Sequence, residues 1–151
     1  MATMRFAPFK SVHFPAFEKM LAESTNLFGA AWKKHMLLLF RGKLKRHNAR
    51  CYSALEGNKL IGAFSVRREV DAFVLYFIII GKDTQGKGVG RAIVEKVEAM
   101  AKKERAKFIR LDTYSCHDML GFYKKLGFKP GGRVRYYEED DDDQIFLYKK
   151  V

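Results

Sequence analysis

The segment Gly81-Lys82-Asp83-Thr84-Gln85-Gly86-Lys87-Gly88-Val89-Gly90-Arg91 sets three glycines at alternate positions among Lys82, Lys87 and Arg91. Glycine lets the backbone take positive φ or approach a ligand closely. A helix starting behind such a loop presents unpaired N–H groups and the positive end of its dipole. Together these features suit an anion, phosphate above all, and exceed what a tight turn requires. The spacing decides which loop this is. A dinucleotide fingerprint, G-x-G-x-x-G, fails because Arg91 and Ile93 stand where its last glycine belongs. A nucleotide loop of the Walker type comes closer, with Gly81-x4-Gly86-Lys87 and the strand-like Phe108-Ile109-Arg110-Leu111-Asp112. There Gly88 replaces the Ser or Thr whose hydroxyl would hold magnesium.

The elements that would position this loop follow from hydrophobic pattern. Residues 73–80 are almost continuously apolar, aromatic and β-branched, which predicts a strand buried on both faces at the centre of a sheet. Val89, Ile93, Val97, Met100 and Ala101 form a helical stripe, with Glu98 four residues before Lys102 on the wet side. Residues 108–113 predict the next strand, and a strand, helix, strand succession gives a right-handed parallel pair, so the sheet is mixed. Upstream, residues 4–9 predict a first strand. Phe14-Pro15 opens a helix that buries Phe14, Phe17, Met20 and Leu21 and ends near Asn26, and residues 28–40 form a second helix. Residues 51–55 and 60–66 flank Glu56-Gly57-Asn58-Lys59 as a β-hairpin. Ser115-x-x-Asp118 reads as a capping box for a helix through Leu126, with Gly127 as its left-handed cap. Residues 134–137 and 145–148 close the chain as two strands. The order β, α, α, β, β, β, α, β, α, β, β describes an α/β fold: a mixed twisted sheet of about six to seven strands with helices on both faces.

The 151 residues, 48% hydrophobic, suffice for one core, and no repeat or Pro- or Ser-rich linker divides them, so residues 1–151 read as a single domain. Cys51 and Cys116 have no partner at metal-ligand spacing, so neither a metal nor a disulfide is expected. The longest apolar run, residues 73–80, is far short of the roughly 20 residues of a membrane span, and MATMRFAPFK lacks the apolar core of a signal peptide. A cytoplasmic protein without membrane attachment is expected. The net charge of +12 attracts polyanions. Lys33, Lys34, Arg41, Lys43, Lys45, Arg46 and Arg50 crowd one stretch, while residues 138–143 are an unbroken acidic run. The charged face of a helix and loop accounts for the basic stretch, so nucleic acid is not the expected partner. Exposed strand edges allow a homodimer.

Gln85-x-x-Gly88-x-Gly90 followed by Arg91-Ala92 resembles the pyrophosphate loop of the GNAT N-acetyltransferase family. Gly121-Phe122-Tyr123-Lys124-Lys125-Leu126-Gly127-Phe128 resembles that family's F-Y-x-x-x-G-F signature. The likeness covers residues 70–151 well and the first half by topology. It implies acetyl-coenzyme A as co-substrate, without metal, and direct acetyl transfer to a primary amine. It also implies that Gln85, Gly86, Lys87, Gly88, Val89, Gly90, Arg91 and Ala92 hold the pyrophosphate while the backbone of Ile78, Ile79 and Ile80 holds the pantetheine arm. Tyr123 takes the place of the proton donor to the leaving thiolate, although such a tyrosine can also simply pack. Cys116, or Ser115, stands where members often place an Asn against the cofactor arm. Members also often carry a carboxylate base in the central strand. Here only Glu69 and Asp71 come near it, with Asp71 the candidate base and a solvated turn the competing account. The family's acceptors lie near the connection that holds residues 138–143 here, which favours a cationic amine such as a polyamine or a protein lysine or N-terminus. The missing strand carboxylate keeps open a catalytically silent module that binds or senses acetyl-coenzyme A.

Overall fold

The computed structural model describes residues 3–24, 30–114, 119–135 and 143–151. They form two compact units, Met1–Arg67 with Tyr76–Lys96, and Arg68–Leu75 with Val97–Val151.

The first unit starts with strand β1 (Met4–Pro8) and helix α1 (Phe14–Glu23). Pro15 sits in the first turn of α1, where its missing N–H costs nothing. The expected stripe turns Phe17, Met20 and Leu21 inward. The helix stops three residues before Asn26: the Ser24 hydroxyl donates to the Leu21 carbonyl at 2.7 Å and takes up one of the last open acceptors. Helix α2 (Ala30–Phe40) buries Met36, Leu39 and Phe40. Phe17 and Phe40 stack at 4.2 Å between centroids, and Phe9 meets Phe40 edge-on at 4.9 Å. Strands β2 (Arg50–Glu56) and β3 (Lys59–Arg68) form the predicted hairpin, turning at Gly57 with φ +60°. β1 pairs antiparallel with β2 from Met4↔Glu56 to Pro8↔Tyr52.

Consecutive strand residues face opposite sides, and Gly62 and Ala63 show what each side of this unit packs against. Ala63 belongs to the cluster of α1 and α2 side chains that includes Phe17, Met36 and Phe40. A Cβ on Gly62 would lie 3.0 Å from the Ile79 carbonyl oxygen and 3.4 Å from Cδ1 of Ile93, in helix α3 (Val89–Lys103). Glycine at 62 therefore keeps clear of the Ile79 carbonyl, on the face where Ile93 of α3 packs. Helices cover both faces of the sheet here, as the sequence predicts.

Strand β4 (Ala72–Ile80) and α3 each run from one unit into the other. In the second unit, Ala72, Phe73 and Val74 pair in parallel with Phe108, Ile109 and Arg110 of strand β5 (Phe108–Tyr114). Helix α4 (Leu120–Lys125) and strands β6 (Lys129–Arg135) and β7 (Asp143–Lys150) follow, and β7 lies antiparallel to both β5 and β6. The sheet is mixed and seven-stranded, in the order β1-β2-β3-β4-β5-β7-β6, which puts β4 at its centre.

Two details of the second unit differ from the sequence reading. β6 starts at Lys129, five residues before the expected position 134, because Pro130-Gly131-Gly132 reads as a loop. As a wholly exposed edge strand, β6 tolerates the proline, and a register shift between Pro130 and Gly132 takes up the extra residue. The described α4 begins at Leu120 with Met119 as its uncapped N-terminal flank. The Ser115 to Asp118 capping box lies outside the described residues. Gly127 holds the expected left-handed position at φ +92°.

Candidate functional site

The glycine loop closes on the end of β4 within the first unit. Gly81 N–H donates to the Ile61 carbonyl at 2.8 Å, and the Thr84 hydroxyl lies within 3.2 Å of the Ile61 carbonyl and 3.0 Å of the Gly81 carbonyl. These bonds clip the base of the loop to β3. The Gln85 side-chain amide donates to the Ile80 carbonyl at 3.4 Å, tying the loop back to the strand. Gly86 and Gly88 have φ of +77° and +84°, and a Cβ at either would meet nothing within 4 Å. Glycine is needed here for backbone conformation, not for lack of room. The space in front of the loop is open.

Ala92 N–H is bonded to the Gly88 carbonyl at 3.0 Å, the first turn of α3. The N–H groups of Val89, Gly90 and Arg91 precede that bond and have no acceptor within the helix. They point out of the helix start together with its dipole, while the exposed side chains of Lys87 and Arg91 add positive charge. Arg91 Nε donates to Glu95 at 3.1 Å, which braces the guanidinium along the helix. This is a cradle for a phosphate-sized anion. A coenzyme A pyrophosphate fits its charge, its open space and its donors. Ile78, Ile79 and Ile80 lie past the stretch of β4 that pairs with β5, which runs from Ala72↔Phe108 to Val74↔Arg110. A basic cleft of about 630 Å³ adjoins the loop at Gly81, Lys82, Asp83 and Thr84.

The remaining expected residues lie elsewhere. Tyr123, on α4 in the second unit, is 5% exposed, with edge contacts to Phe122 at 5.1 Å and Phe128 at 5.8 Å. Burial, and then the nearby charge of Asp112, push its phenol well above the usual tyrosine range. Asp71 sits exposed in the turn between β3 and β4, its carboxylate 3.4 Å from Lys107 Nζ and its carbonyl accepting from Lys107 N–H at 2.8 Å. Glu69 accepts two hydrogen bonds from Arg110, at 2.9 and 2.8 Å. Both carboxylates near β4 are thus paired with cations. Cys116 and residues 138–142 lie outside the described residues, while Asp143 pairs with Arg133 at 3.1 Å. Among the described residues no cluster of three or more His, Cys, Asp or Glu could hold a metal, and no helix is long and apolar enough to cross a membrane.

One group of residues escaped the sequence reading. In the first unit, Nε2 of His35 on α2 and the Tyr76 hydroxyl on β4 share a hydrogen bond of 3.0 Å. Trp32 stacks on His35 at 5.5 Å and meets Tyr76 at 5.8 Å. His47 approaches His35 at 5.0 Å and Tyr76 at 5.7 Å, and the Arg67 guanidinium lies 5.2 Å over the Tyr76 ring. Burial, and then His47, hold the His35 imidazole below the usual histidine range. The available signal was Trp32 and His35 three apart on one helix face; partners 41 residues away leave none.

A model of the acetyltransferase (GNAT) family matches residues 16–128. A Bacillus subtilis (strain 168) protein, named as a candidate [ribosomal protein bS18]-alanine N-acetyltransferase, is 29% identical over 76 residues. That match takes in 49% of this chain and 50% of the relative, about half the length of each. Among solved structures, the ribosomal-protein-S18-alanine N-acetyltransferase from Escherichia coli superposes with a TM-score of 0.79 at 17% identity, covering 99% of this chain and 94% of that one. The PaiA N-acetyltransferase from Thermoplasma acidophilum, solved in complex with coenzyme A, gives a TM-score of 0.75 at 14% identity, covering 99% of both chains. At these identities the structural likeness is one of fold.

Proposed function

Because the chain belongs to the acetyltransferase (GNAT) family, we propose that it transfers an acetyl group from acetyl-coenzyme A directly to a primary amine, with the N-terminal amine of a protein as the favoured acceptor. The carrying observation is the loop: two positive-φ glycines with nothing within 4 Å of where a Cβ would sit, at a helix start whose first N–H groups have no acceptor within the helix. The N–H groups of residues 85–91 and the charges of Lys87 and Arg91 would hold the pyrophosphate, and the Gln85–Ile80 contact would keep the loop in register with the strand that receives the pantetheine arm. The cofactor brings an activated acyl thioester. Tyr123, kept protonated by burial, would donate to the departing sulfur.

The two relatives named for ribosomal-protein alanine acetylation support a protein α-amine over the polyamine that the acidic run suggests. The reaction is proposed for the cytoplasm, in keeping with the lack, among the described residues, of a helix long and apolar enough to cross a membrane. Isothermal titration of acetyl-coenzyme A into the protein and its Gly88→Glu variant tests the site. A carboxylate and a strained φ at position 88 should weaken binding at least 100-fold. Equal binding by the variant would remove the loop from the site, and no binding by either would remove the acetyltransferase reading. Thiol release with a panel of alanine-starting peptides, lysine and spermidine then identifies the acceptor. Binding without acceptor-dependent thiol would favour a sensing module.

A further inference from the structure

A direct transfer needs a neutral amine, and whatever takes its proton must lie near the acyl group. The described strand β4 holds no carboxylate, and both carboxylates of the preceding turn are engaged with cations, Glu69 with Arg110 and Asp71 with Lys107. Two residues before Ile78, about 7 Å along an extended strand, stands Tyr76, hydrogen-bonded to His35. We propose that Tyr76 and His35 form the proton-accepting pair of the acceptor site, with the Tyr76 oxygen meeting the amine and His35 acting through it. This rests on the acetyltransferase reading above.

The geometry supplies each part of a relay. With the imidazole proton on Nδ1, Nε2 accepts the phenol proton at 3.0 Å. As the ammonium gives a proton to the Tyr76 oxygen, the phenol proton passes to Nε2, leaving a neutral amine and an imidazolium. The amine lone pair then attacks the thioester carbonyl carbon. The C–S bond breaks with its electrons on sulfur, the thiolate takes the Tyr123 proton, the second amine proton restores Tyr123, and the imidazolium releases its proton to water. One amide, one thiol and one proton are formed.

Three neighbours set the pair. Trp32 stacks on the imidazole and His47 approaches it from the short turn Lys45–His47, while Arg67 from β3 lies over the Tyr76 ring. Burial, and then His47, disfavour the imidazolium, and the Arg67 guanidinium over the Tyr76 ring repels a second positive charge. Such a base suits an α-amine, with an ordinary pKa of about 7.7–8.0, far better than a lysine amine at about 10.4. The cluster therefore points to peptide N-termini as the acceptor class.

The test compares wild type, His35→Gln and Tyr76→Phe, the last of which keeps the ring against Trp32. Acetyl-coenzyme A binding is measured by calorimetry, and kcat/KM is measured from pH 5 to 9 with alanine-starting peptides, lysine and spermidine. The expected result is unchanged cofactor binding in both variants and a fall of about 100-fold in kcat/KM. The acidic limb of the wild-type profile, which falls below pH 6.5 as His35 takes up a proton, should disappear in His35→Gln. Variants within threefold of wild type, or a uniform fall that keeps the limb, would overturn the pair. Preference of the wild type for lysine or spermidine would overturn the α-amine assignment. A wild type that binds acetyl-coenzyme A but acetylates nothing would remove the pair and leave the cofactor site standing, whereas one that binds none removes the functional reading itself.

Discussion

A phenol with 5% exposure beside a carboxylate keeps its proton far above neutral pH, so Tyr123 is a persistent donor but a weak acid. In the proposed reaction it would stabilise the departing thiolate by a hydrogen bond at any pH where the fold holds, and its own titration would set no alkaline limit near neutrality. Tyr123→Phe removes the donor and keeps the edge contacts with Phe122 and Phe128. The expected outcome is a kcat lower by about 10- to 100-fold at unchanged acetyl-coenzyme A affinity and nearly unchanged Tm. If kcat stays at the wild-type value, the ring only packs. At this scale the loop's glycine-dependent backbone was legible because it lies in eleven consecutive residues, 81 to 91. His35 and Tyr76 were not: one reads as a polar residue on a helix face and the other as an aromatic in a buried strand, and only the fold joins them.

Helix α3 does two jobs along its length. Its first turn presents donors to the loop, and its later turns are fastened within the second unit by Glu98, which pairs with Lys149 of β7 at 3.0 Å and with Lys102 one turn on at 3.5 Å. Gly127 makes this reach possible, since a Cβ there would press to 3.2 Å on Cε of Lys149. Burial pushes the Glu98 carboxyl up, but the hydrogen bond and charge of Lys149, with Lys102, outweigh it and hold the group below the usual glutamate range. A lowered folded pKa stabilises above the unfolded pKa and loses that effect as the pH falls through the folded value. Lys149→Met should therefore lower stability by about 1 kcal/mol at pH 7. The gap should be full above pH 4.5 and shrink below it, read from urea unfolding at pH 3 to 7. A gap independent of pH would assign the loss to packing. The elements themselves were readable where burial imposes a period, as in the apolar run of β4 and the stripe of α3. They were unreadable where it does not: β6 buries nothing, so only its pairing with β7 makes Pro130-Gly131-Gly132 a strand.

Across the whole molecule, 29 Lys and Arg against 17 Asp and Glu leave a net charge of +12, and the loop adds local cations at Lys82, Lys87 and Arg91. Such a field raises the local concentration of a polyanionic cofactor, and salt screens it with a Debye length of about 10 Å at 0.1 M. Backbone N–H groups and a helix dipole also respond to salt, but most of their effect falls within the first turn, at contact. The two contributions can be separated. If long-range charge assists, the Kd for acetyl-coenzyme A should rise severalfold between 50 and 500 mM KCl. A Lys87→Gln, Arg91→Gln double variant should bind more weakly at 50 mM and show a shallower slope. A Kd that ignores salt in the wild type would mean that the backbone cradle and the strand hold the cofactor by themselves. The excess of basic side chains would then serve another partner, and a random DNA duplex titrated over the same salt range would show whether that partner is a nucleic acid.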